Sequence, residues 1–118
     1  EQVPWHHGND AREIIRRYLE LRSRLSPLTN DLFWQAMTEG TPLMRPLLWD
    51  YWNEDLPEDP WIQFQYLWGP FLVAPVVDSG HVGKQVYLPG HGSVWYDFWT
   101  RRGYEGGRSY HVDSKLDI

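Results

Sequence analysis

Hydrophobic positions in the first third of the chain recur every three to four residues. Ile14, Tyr18, Leu21 and Leu25 keep that spacing, and Ile15 and Leu19 widen the stripe. Arg12, Arg16, Arg17, Arg22 and Arg24 fall largely off that face. Asp10 reads as an N-cap, with Glu13 three residues on as its capping-box partner. Pro27 interrupts the pattern, and Ser26 before it reads as a cap for a second segment. Leu28, Leu32, Phe33, Ala36 and Met37 then resume helical spacing up to Gly40, a natural terminator. The spacing predicts one long kinked helix over residues 10–39.

The pattern then changes. Thr41 to Leu48 is apolar and punctuated by Pro42 and Pro46, which predicts an extended segment. Residues 49–62 mix tryptophans, acids and prolines, as a loop does. Short apolar runs follow at 71–77, 85–88, 94–99 and 109–112. Pro75 lies inside the first of these and marks an edge or a bulge. Turn signals stand between the runs, at Asp78-Ser79-Gly80, Pro89-Gly90-His91-Gly92, Gly103 and Gly106-Gly107. That spacing predicts an antiparallel β region. The fold class is therefore α+β, helix first and strands after, with a joint near residues 45–48.

Composition narrows the picture. The chain has 118 residues, enough for one ordinary domain. A complete (β/α)8 barrel needs roughly 200 residues or more, so this chain cannot be one by itself. Eight tryptophans, seven tyrosines and four phenylalanines exceed what one small core buries, and the surplus implies an interface. The net charge of −5 argues against a nucleic-acid partner. The charge is uneven. Eleven of the sixteen acidic residues and six of the eleven basic ones lie in residues 1–59. The absence of cysteine excludes disulfides and thiolate metal sites and leaves the compartment open. No apolar run approaches the roughly 20 residues of a membrane-spanning helix, so no membrane partner is expected. The first residues resemble neither a start nor a signal peptide, and the last stop on a strand-like pattern. Both ends read as cuts from something longer.

Candidate chemistry is sparse. Asp50, Glu54, Asp55, Glu58 and Asp59 are numerous enough for a paired-carboxylate mechanism, but they sit among prolines and read as a solvated loop. His6 and His7 are adjacent, so their side chains diverge. His81, His91 and His111 lie near turns without metal-ligand spacing. Ser93 lacks a nucleophile elbow. In the run Val94 to Trp99, alternation puts Trp95, Asp97 and Trp99 on one strand face. Trp95 and Trp99 exposed there would stack on sugar rings, whereas a strand buried on both sides would bury them against another domain. Arg45, between Met44 and Pro46, reads as one half of a structural ion pair at the joint.

Several phrases, taken together and in order, resemble glycoside hydrolase family 31, the α-glucosidase and α-xylosidase group. Pro4-Trp5 is similar to the family's loop before its last barrel helix. Residues 18–27, Tyr-Leu-Glu-Leu-Arg-Ser-Arg-Leu-Ser-Pro, resemble that helix. Residues 40–47, Gly-Thr-Pro-Leu-Met-Arg-Pro-Leu, match the family phrase directly. Residues 65–76, the run Val86 to Gly90, the run Trp95 to Thr100, and Gly106-Gly107-Arg108 continue the likeness. The sequence departs from the family at Gln2-Val3, at Leu28-Thr29-Asn30-Asp31 and at Tyr51-Trp52-Asn53. Those departures suit a divergent member or a degraded copy.

The resemblance implies a placement. Residues 1–45 correspond to the last loop, last helix and exit segment of a (β/α)8 barrel. Residues 46–118 correspond to the first part of a proximal C-terminal β-sandwich domain. It also implies a retaining α-glycosidase acting on terminal α-linked glucose or a related sugar, with one aspartate as nucleophile and another as acid/base. Both lie upstream of this stretch, so the resemblance assigns no catalytic, cofactor-binding or metal residue here. His6 and His7 follow the Pro-Trp phrase and do not match the family's substrate-contacting histidine. The implied partners are the parent's carbohydrate substrate and the barrel. Two alternatives stand beside this. One is a non-catalytic carbohydrate-binding module using Trp95 and Trp99, and the other is a truncated inactive product.

Overall fold

The structure, a computed structural model, describes residues 3, 8–76 and 83–113. The chain divides into two compact units, with the boundary between Leu43 and Met44.

The first unit is a pair of helices, α1 (Gly8–Arg24) and α2 (Ser26–Glu39). Asp10 lies inside the first turn of α1 rather than at its N-cap, where its charge favours the helix dipole. Arg22 and Arg24 complement the other end. On the solvent side Arg16 pairs with both Glu13 and Glu20. The expected single helix is broken at Leu25, whose backbone sits at φ −88°, ψ 3°. Pro27 sets the break, since it has no N–H to donate. Hydrogen bonds still cross it, because Leu25 N–H donates to Leu21 O and Thr29 N–H donates to Leu25 O, both at 3.0 Å. Ser26 is not the cap: Leu25 holds that position with no side-chain hydrogen bond. Gly40, at φ 73°, ends α2 in the left-handed conformation and donates its N–H to Ala36 O. Leu32 is buried, while Leu19, Phe33, Trp34 and Met37 are exposed.

The second unit begins with β1 (Met44–Pro46), the short helix α3 (Leu47–Asp50), a 3-10 turn at Pro60–Phe64, β2 (Tyr66–Trp68) and β3 (Phe71–Val73). The extended exit segment thus ends at Pro46, and Leu47 and Leu48 already turn as helix. β1, β2 and β3 form one antiparallel sheet, with Arg45 opposite Leu67 and Leu67 opposite Leu72. The β2–β3 hairpin turns on Gly69-Pro70. Gly69 has φ 55°, as the first central position of a two-residue hairpin turn requires. Pro75 falls outside β3, and the expected turn at Asp78-Ser79-Gly80 lies outside the described residues.

β4 (Gly83–Leu88) pairs antiparallel with β7 (Arg108–Asp113), and β5 (Val94–Tyr96) with β6 (Gly103–Glu105). Gly103 lies in a strand, not a turn. The expected strand 94–99 stops at Tyr96. Residues 97–100 fold back instead, because Asp97 captures the backbone N–H groups ahead of it. Leu47, Leu67 and Tyr87 form the buried core, with Tyr51, Leu56, Trp61, Ile62, Leu72 and Trp95 packed around them. At Gly106 a Cβ would overlap the carbonyl oxygen of Gly90, so only glycine lets the two turns meet.

Candidate functional site

Two ionic arrangements help hold the second unit together, and each engages residues that the sequence marks as chemical. Glu54 accepts the Gly90 N–H on both carboxylate oxygens, at 3.1 and 3.0 Å. Arg45 donates Nε to Asp50 Oδ2 at 3.0 Å and Nη2 to Gly69 O at 3.4 Å. Its side chain is 13% exposed and that of Asp50 is 39% exposed, so this is the structural ion pair expected of Arg45. The acidic stretch is therefore only partly a solvated loop. Asp50 and Glu54 hold the fold, while Asp55, Glu58 and Asp59 are exposed. None of these carboxylates is among the residues lining the groove described below.

Burial raises the pKa of Tyr51, with the nearby charges of Asp50 and Glu54 adding to the rise. Burial also raises that of Tyr87. Both phenols stay protonated through the neutral range and act as packed aromatics. His6, His7 and His81 lie outside the described residues. His111 Nε2 stands 3.5 Å from Asp113 Oδ1 in an exposed position. Among the described residues no group of three His, Cys, Asp or Glu side chains converges as a metal would need. Ser93 contributes backbone bonds, its N–H to Gly90 O and its carbonyl to Gly106 N–H.

A shallow open groove of about 410 Å³ lies beside the β5–β6 hairpin. Pro70 and Phe71 form one side. Ser93 to Phe98 and Arg101 form the other. The hairpin loop is built on Asp97. Its Oδ1 accepts Trp99 N–H at 2.9 Å and Thr100 N–H at 2.6 Å. Its backbone N–H donates to Arg102 O, and its carbonyl accepts Arg101 N–H. The bonds that the carboxylate accepts, the one from the Thr100 backbone foremost, favour its ionised form and lower the Asp97 pKa. Arg101 takes the left-handed conformation, φ 64°. Its guanidinium lies 5.8 Å from the centroid of the Phe98 ring. Phe98 meets Phe71 edge-on at 5.5 Å and Trp99 edge-on at 4.9 Å, while Phe71 stacks on Trp68 at 6.1 Å. This aromatic series joins the hairpin to the three-stranded sheet.

Trp95 and Trp99 do not share a strand face. Trp95 is half-buried in β5 and donates Nε1–H to Pro89 O at 2.7 Å. Trp99 is 52% exposed in the loop beyond the strand end. The sequence reading missed Gln65. Its side chain is buried, donating Nε2–H to Tyr87 O at 2.8 Å and accepting Tyr87 N–H at 2.9 Å. A glutamine inside an otherwise apolar run was the available signal.

A model of the glycosyl hydrolase family 31 C-terminal domain matches residues 40–118. The chain belongs to glycosyl hydrolase family 31. An α-xylosidase of Saccharolobus solfataricus is 37% identical over 115 residues, covering 97% of this chain and 15% of that protein. Human neutral alpha-glucosidase AB is 42% identical over 114 residues, covering 96% of this chain and 12% of that protein. A family 31 dextranase of Flavobacterium johnsoniae, solved in complex with glucose, superposes with a TM-score of 0.86 at 36% identity, over 98% of this chain and 14% of that one. The chain thus spans less than a fifth of the length of these relatives. Its α+β character is that of its family 31 structural neighbours.

Proposed function

We propose that this chain is the C-terminal segment of a retaining α-glycosidase that hydrolyses terminal α-linked glucose or a related sugar. The likeness to an α-xylosidase and an α-glucosidase over nearly the whole chain carries this reading. In it, residues 1–45 supply the last loop, last helix and exit segment of a (β/α)8 barrel. Residues 46–118 begin the proximal C-terminal β-sandwich. The segment's role is structural. The ionic bonds of Arg45, Asp50 and Glu54 support that role, because they consume the charged groups in holding the fold. The exposed apolar side chains of α1 and α2, Leu19, Phe33, Trp34 and Met37, are the surface that would seat on the barrel. The nucleophile and the acid/base lie outside this chain.

The test is direct. The full-length protein containing these residues is assayed on a panel of nitrophenyl α-glycosides, and the 118-residue chain is assayed beside it. Turnover of an α-glucoside or α-xyloside by the former and none by the latter is expected. Robust turnover by the 118-residue chain would refute the structural role. Inactivity of the full-length protein on every α-glycoside would refute the parent activity.

A further inference from the structure

We draw no further inference here: the strongest candidate, the outer edge of β7, which pairs with β4 alone among the described residues, carries none because nothing in the structure shows what covers it.

Discussion

Gln65 and Tyr87 are bonded as if they were neighbours in a sheet. The Gln65 side-chain amide gives its N–H to Tyr87 O and takes Tyr87 N–H on its Oε1. A single amide thus satisfies both backbone groups of a core residue on the edge of β4 that faces away from β7. Gln65 is 2% exposed and Tyr87 4% exposed, so no water replaces either bond.

Replacing Gln65 by Leu should therefore destabilise the fold by about 2–4 kcal/mol, because two buried backbone groups lose their partners. Gln65→Glu should also destabilise, since a carboxylate offers Tyr87 O no N–H. Equilibrium urea unfolding of the second unit's tryptophan signal checks both. A shift below about 0.5 kcal/mol in Gln65→Leu would show that the pairing contributes little to stability.

Two glycines should respond differently to alanine. At Gly106 the added Cβ meets the Gly90 carbonyl, and the turns must separate. At Gly92, φ 80°, no atom lies within 4 Å of the Cβ position. Gly92→Ala should cost about 1–2 kcal/mol from backbone conformation alone, and Gly106→Ala clearly more. Thermal unfolding of the pair ranks them, and equal losses would contradict the close approach of the turns.

The Asp97 carboxylate should titrate below its ordinary value of 3.8, because Thr100 and Trp99 N–H groups bond its ionised form. A carboxyl pKa lowered in the folded state adds stability that is fully present above the unfolded value and is lost as pH falls through the folded one. Acid should loosen the β5–β6 hairpin in that window. Asp97→Asn should flatten this part of the pH profile. Carbon-detected NMR titration of the Asp97 carboxyl reads the midpoint, and a value at or above 3.8 contradicts the loop geometry.

Arg45 reaches both Asp50 and the Gly69 carbonyl. Arg45→Lys can keep the charge but not the fork that serves two acceptors. Arg45→Lys should destabilise by about 1 kcal/mol, and Arg45→Met by about 2–3, as charged hydrogen bonds are lost. A double-mutant cycle with Asp50→Asn isolates the ionic part. A coupling near zero would mean that the arginine acts through its alkyl stem.

Much of the architecture was legible because it repeats. The helical stripe from Ile14 to Met37 and the runs at 85–88 and 109–112 carry their periodicity in consecutive residues. The failures lie where one residue outweighs a pattern. Alternation carried the strand to Trp99, but the Asp97 side chain bonds the next backbone N–H groups and folds the chain back. Tyr66–Trp68 escaped notice as a strand because three residues carry no period. Its partners, Met44–Pro46, lie far away in sequence. Of the groove, the aromatic content of 94–99 was visible. Its shape was not, because Phe71 is brought to Phe98 only by tertiary packing.

The bond from Gly90 to Glu54 fixes one end of the acidic crossing, and Gln65 fixes the other. Between those pins, Glu58 and Asp59 are exposed. The chain can therefore change length there without disturbing either anchor. Doubling such a loop costs only about 0.6 kcal/mol in closure entropy. The peptide bond between Glu58 and Asp59 is the natural place for evolution, or an engineer, to splice in an insert.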